Sequence, residues 1–352
     1  MAWVDGVGGW VVSTRAEAIR VMRDDAAFTV DDPRFSTAQV VGPSMLSRDG
    51  AEHRRHREPF ADAFRPTEVT GRYATSVDRL ARQLVGDLVP KRHAELRTQL
   101  AGPLAVGVVA LSLGLEQLDP RKLLQWYDEI VGAVERVAIG EPVGASAMKA
   151  FENLGHELDR AIRDSDSVLV NASNVLTRDD LISNAAVFLF GGIETSEGMT
   201  ANAMFHLLSN VDQLDLVRAD RALVDAAVEE SLRLEPAAAR VDRYATSDIE
   251  LAGAHIAAGD LVVVSLTAAN RDPDVFDRPD RYDVRRPNAR SHLAFAQGPH
   301  ACIGAQLARM ETRAAITAVL DLLPDIELVS VEAPSGSVFR KPRSLHARWT
   351  TA

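Results

Sequence analysis

The chain has 352 residues, 46% of them hydrophobic, with 39 basic and 50 acidic side chains for a formal charge of −11. That balance excludes a general nucleic-acid binder, which carries a basic surface. One cysteine excludes intrachain disulfides and any four-cysteine iron–sulfur cluster, and it points to a reducing, cytoplasmic setting.

The first residues, MAWVDGVGGWVV, have no basic region and no long apolar run, so they do not read as a signal peptide. Thr14 and Glu17 are spaced as a capping box before Ala18, Ile19, Val21 and Met22. Residues 58–89, 93–115 and 121–165 carry helical patterns broken by proline or glycine. The longest apolar stretch, 104–115, is too short to span a bilayer, so no membrane association is expected. Residues 177–210 read as one very long helix with Thr177 as N-cap and Asp180 at N3, and another helix covers 220–235 and stops at Pro236. Alternation then sets in over 247–268, with the β-branched run Val262, Val263, Val264 and an Ala258-Gly259-Asp260 turn placed as in a hairpin. Residues 271–301 read as ordered coil, 303–323 as helix ending at Pro324, and 326–329 and 345–349 as short strands. The expected fold is mainly α with a minor β region, in one domain spanning 1–352.

On the long helix, Leu181, Ala185, Phe188, Gly192, Thr195 and Met199 share one face. Gly191 and Gly192 sit mid-helix, where each costs roughly 1 kcal/mol relative to alanine. Room for a ligand is one reason to keep them; a tolerated kink is the other. A threonine at that level bonds back to a backbone carbonyl and loosens the helix locally.

The most informative segment is Phe295-Ala296-Gln297-Gly298-Pro299-His300-Ala301-Cys302-Ile303-Gly304. Gly298 permits a tight turn. Cys302 falls just ahead of an amphipathic helix, where unpaired backbone N–H groups and the helix dipole favour thiolate over thiol. Gly304 lets a flat ligand approach the backbone, and Phe295 shields the sulfur from water.

Phe295, Gly298, His300, Cys302 and Gly304 match a cysteine loop of the form F-x-x-G-x-H-x-C-x-G, and the chain here resembles the cytochrome P450 family; Ala296 departs from it, since glycine is usual there. The resemblance implies a cytochrome P450 fold and heme b (iron protoporphyrin IX), with Cys302 as the iron ligand and His300 on a heme propionate. A thiolate ligand pushes electron density onto iron and favours O–O cleavage. Glu230 and Arg233, followed by Pro236 and Arg243, are similar to the family's buried E-x-x-R pair and its later arginine. That likeness makes Glu230 and Arg233 structural braces and Arg243 a propionate ligand. His53 and Arg57, four apart on a helix, match the family's propionate clamp. Gly191-Gly192-Ile193-Glu194-Thr195-Ser196 resembles its A-G-x-[DE]-T-T signature, which implies that Thr195 stabilises bound dioxygen and Glu194 relays protons. Phe188, Gly192, Ala238, Ala239 and Arg240 are the expected substrate-pocket residues, with pairing to Asp242 the other reading of Arg240. Family members usually carry a further helix before the segment matching Trp3-Val4 and Trp10-Val11-Val12, and the region 160–177 is compact here.

The implied activity is a heme-thiolate monooxygenase acting on a small organic molecule, with hydroxylation or epoxidation in specialised metabolism as the expected outcome. No reductase domain fits in the chain, so dioxygen activation is expected to draw on a separate ferredoxin or flavodoxin with its reductase. Arg54, Arg55 and Arg309 are candidates for the docking face. A peroxide-driven enzyme or a heme-free recruitment module of the same fold are the alternatives; each is expected to lose the acid–alcohol pair that this chain keeps.

Overall fold

The computed structural model describes residues 1–138, 140–164 and 167–350. The expected compact stretch at 160–177 therefore lies partly outside the described residues. The backbone divides into two compact units, one of Met1–Phe28, Ala74–Leu104 and Glu194–Ala352, the other of Thr29–Tyr73 and Ala105–Ile193.

The first unit holds the β structure. Ala2–Val4 pairs antiparallel with Gly9–Val12, which runs parallel to Leu261–Ser265, and that strand pairs antiparallel with Arg240–Ala245. Val262, Val263 and Val264 are all buried, as befits a strand covered on both faces. Val12, Ala18, Val21, Met22, Phe28 and Leu293 pack into the same core. The hairpin expected around Gly259 is placed differently. Its two strands are Ile249–Leu251 and Ala254–Ile256, and its two-residue turn is Ala252-Gly253, both with positive φ, the geometry that suits strand twist. The Gly259 turn instead feeds Leu261–Ser265 into its long-range pairing. A second sheet sets Leu345–Arg348 between His93–Glu95 and Glu327–Val331. Residues 93–95 were expected as helix; pairing with a strand some 250 residues away overrides their local pattern. The helix Arg15–Arg23 starts after Thr14, whose side chain makes no cap hydrogen bond, so the capping box does not form. The helices Val224–Leu234 and Ala305–Leu322 complete the surroundings of the cysteine coil.

The second unit is helical. In Pro120–Ala138, Leu123, Tyr127, Ile130 and Ala133 form a buried stripe; in Ala145–Asp164, Ala147, Ala150, Leu154, Leu158 and Ala161 do the same. The long helix Arg178–Ser209 begins in this unit, capped as the sequence predicts by Thr177, whose hydroxyl accepts from the Asp180 N–H (3.2 Å). Among the described residues no helix is long and apolar enough to cross a membrane.

Candidate active site

The coil before Cys302 has little ladder hydrogen bonding of its own, so its backbone needs other partners. Arg233 supplies them. Its Nε and Nη2 donate to both Glu230 oxygens (2.8 and 2.9 Å), and it also donates to the carbonyls of Asn270, Pro279 and Arg281. Arg286 donates to Glu230 from the other side (2.9 Å) and to the carbonyls of Asp277 and Arg278. Glu230 and Arg233 are fully buried. Arg286 was not singled out in the sequence, because it is 56 residues from Glu230.

The loop itself is fixed by backbone. The Cys302 N–H donates to the Phe295 carbonyl (2.8 Å), Ala301 to Gly298 (3.0 Å) and Ala296 to Leu293 (2.9 Å). Gly298 has φ +75, and a Cβ there would lie 2.4 Å from the Met22 carbonyl oxygen, so only glycine fits. Ala296 adopts φ +57, the left-handed conformation that the usual glycine takes without strain. Cys302 is exposed, and a Cβ added to Gly304 at the start of Ala305–Leu322 would meet open space. An exposed cysteine, an open glycine and a helix N-terminus just beyond it fit a flat group ligated through Cys302. Among the described residues there is no cluster of three or more His, Cys, Asp or Glu side chains able to cage a metal ion, so the fit rests on this one thiol.

A second cluster lies beside the loop. Glu229 accepts from Arg309 Nε (2.6 Å) and Nη2 (3.2 Å) and from His292 Nε2 (3.0 Å). His292 Nδ1 accepts from the Ala294 N–H, which leaves Nε2 as the donor. Burial pushes the Glu229 carboxyl up, but the bonds from His292 and Arg309 outweigh it and hold the group at about 2. The Arg309 guanidinium stacks on the Phe295 ring, 4.5 Å from its centroid. Arg309 was expected on a docking face; it is turned to an internal carboxylate instead.

In the strand Arg240–Ala245, Arg243 is buried and donates to the Asp242 carbonyl (2.8 Å). Arg240 pairs with Asp242 at 3.4 Å, the alternative weighed against a substrate carboxylate. Burial pushes the Asp242 carboxyl up, and the two arginines oppose it. Ala239 is buried and Ala238 half-buried. His300 is half-buried in the cysteine loop.

On the long helix, Glu194 pairs with Lys341 Nζ at 2.9 Å, and the same amine bonds Glu197, which Arg97 also holds (2.8 Å). Thr195 is half-buried. Glu311, buried on Ala305–Leu322, is pushed up to about 8 by burial, which a hydrogen bond with Ser196 partly offsets. Lys341 and Glu311 lie over a hundred residues from their partners, and nothing local in the sequence marks them.

In the second unit, His53 is buried and Arg57 half-buried on Gly50–Ala61. Arg55, also expected as a docking residue, is held by Glu52 and Asp180, while Arg54 is exposed. Burial, then the Arg55 charge, lowers the pKa of the fully buried His56, which contacts Asn184 Nδ2 through Nδ1 (2.8 Å). Phe188 packs edge-on to Phe60 and stacked on Phe64. The expectation that Gly192 leaves room for a ligand needs correcting. A Cβ there would lie 2.4 Å from Val109 Cγ2, so close helix packing accounts for it, whereas Gly191 faces open space.

A family-wide sequence profile for cytochrome P450 matches residues 213–323. The cytochrome P450 monooxygenase PikC of Streptomyces venezuelae is 35% identical over 329 residues, covering 87% of this chain and 77% of the relative. Nocardicin C N-oxygenase of Nocardia uniformis is 33% identical over 367 residues, covering 97% and 89%. The solved structure of HmtN, a post-tailoring hydroxylase of himastatin biosynthesis, superposes with a TM-score of 0.86 at 30% identity, covering 99% of this chain and 93% of that one. The chain therefore belongs to the cytochrome P450 family and is a heme-iron monooxygenase.

Proposed function

We propose that this monooxygenase hydroxylates or epoxidises a small organic molecule in a specialised biosynthetic route, using heme b held through Cys302. The observation that carries the reading is an exposed cysteine at the end of a loop held by the Ala296–Leu293, Ala301–Gly298 and Cys302–Phe295 backbone hydrogen bonds. Relatives named as a post-tailoring hydroxylase and an N-oxygenase support the reaction class. When bound, the heme supplies dioxygen activation, and the thiolate favours O–O cleavage. Cys302 is the metal ligand, Phe295 shields it and Gly304 admits the macrocycle. By likeness to the family, Arg243 and His300 in the first unit, and His53 and Arg57 in the second, are the propionate partners, a role that suits cations.

The Thr195 hydroxyl would hold the proton that the reaction consumes, and Glu194, its carboxylate oriented by Lys341, would resupply that proton from solvent. Phe188, Ala238 and Ala239 border the substrate; Arg240 is committed to Asp242. Electrons come from a separate ferredoxin or flavodoxin with its reductase, in the cytoplasm. Residues 1–352 act as one catalytic domain, since the chain passes between the two units at 28/29, 73/74, 104/105 and 193/194 and neither is contiguous.

The test is the reduced carbon monoxide complex. It shows the red-shifted Soret band of thiolate ligation in the wild type and loses it in Cys302→Ala; retention in the variant overturns the ligand assignment. Turnover with a ferredoxin system but not with peroxide or NADPH alone supports the electron source, and the reverse refutes it. Thr195→Ala diverts electrons to peroxide, read as product formed per reducing equivalent.

A further inference from the structure

Glu229 is adjacent to the Glu230 brace but serves none of its contacts. It is 3% exposed, a depth at which a carboxylate persists only with strong partners. Its partners come from two other segments: His292 from the coil and Arg309 from the helix that follows Cys302. Arg309 spends its fork on Glu229 and its flat face on Phe295. The His292 ring lies 5.9 Å from the same phenyl ring. Phe295 in turn accepts the Cys302 N–H through its carbonyl. A single carboxylate thus fixes the two side chains that confine Phe295, and Phe295 closes the loop onto the cysteine.

We infer that Glu229 is a positioning residue that tunes the thiolate: through Arg309 it holds Phe295 in place and cancels the guanidinium charge beside the cysteine loop. The inference rests on Cys302 being the iron ligand. Outer partners of this kind set ligand orientation and metal electronics in other metal sites. Two consequences are separable. Removing the carboxylate leaves an uncompensated cation, which stabilises the more electron-rich ferrous state. Removing the cation leaves an uncompensated carboxylate, which does the opposite.

The experiment uses the full-length holoenzyme and measures two quantities without turnover: the ferric–ferrous potential, and the rate at which the reduced carbon monoxide complex loses its thiolate-type Soret band. Glu229→Gln is expected to raise the potential, Arg309→Gln to lower it, and the double variant to return it toward wild type. Both single variants lose the thiolate band faster, by roughly tenfold, the lower range for outer-shell changes. If Glu229→Gln does not fold, the fall in potential of Arg309→Gln, whose side chain is 27% exposed, still decides. Shifts of the same sign in both single variants, or an unchanged potential in Arg309→Gln, overturn the proposal while the ligand assignment stands. A wild-type complex without the thiolate band overturns both.

Discussion

The helix that braces the cysteine coil and the helix that carries Thr195 both hold carboxylates in ion pairs, but they use them differently. At the coil, Glu230, which sits on the helix Val224–Leu234, has no solvent exposure and is locked by two guanidinium groups whose remaining N–H bonds fill backbone carbonyls of 270–281. On the helix, Glu194 and Glu197 share one lysine, whose side chain is 19% exposed. Irregular backbone cannot satisfy its own polar groups, so buried ion pairs stand in for a hydrogen-bond ladder. A helix satisfies its backbone internally, which leaves its side chains available to exchange partners and protons. Fully buried charge braces irregular backbone in one region; partly exposed charge sits on a self-satisfied backbone in the other.

That contrast breaks most readily at Glu230. Glu230→Ala leaves Arg233 and Arg286 buried without their carboxylate, and the expected loss is about 3–5 kcal/mol in chemical denaturation. Glu194→Gln, by comparison, should cost under about 1 kcal/mol, as for a partly exposed pair. Comparable losses in the two variants would erase the distinction. Gly298→Ala comes next, since it combines a left-handed residue with a clash on the Met22 carbonyl. About 2–4 kcal/mol of destabilisation is expected, read as a lower melting temperature.

Glu311 sharpens the comparison through pH. Its folded pKa of about 8 lies above the value of 4.5 for a free side chain. Between those limits the folded chain keeps a proton that the unfolded chain releases, so stability falls as pH rises through the window. Glu311→Gln should flatten that slope and add on the order of 1–3 kcal/mol at pH 8, with no gain near pH 4. An unchanged slope in denaturation at several pH values would count against the assignment. A small effect of opposite sign is expected at Ala296, where alanine holds φ +57. Ala296→Gly should stabilise the protein by about 1 kcal/mol, because glycine adopts that conformation without the Cβ clash.

Local features were largely legible in the sequence. The Thr177 cap, the single long helix, the stop at Pro236 and the turn at Gly298 each depend on a few neighbouring residues, and the cysteine motif and the Glu230–Arg233 spacing lie within one loop and one helix turn. Readings failed where a partner was distant. Residues 93–95 became strand because Leu345–Arg348 pairs with them, Gly192 is explained by Val109 on another helix, and Arg309 turned inward because Glu229 sits 80 residues earlier in the chain. By itself the sequence determined the chemistry available: one thiol at a helix start, an acid beside an alcohol on a long helix, and cations spaced to meet carboxylates. How those charges are shared depends on the packed chain, which gives Glu230 two arginines, Glu229 a histidine and an arginine, and Glu194 a lysine it divides with Glu197. The physical reason is range: capping, turn geometry and helix phase act over a few residues, whereas desolvation and ion pairing depend on which segments the fold brings within about 4 Å.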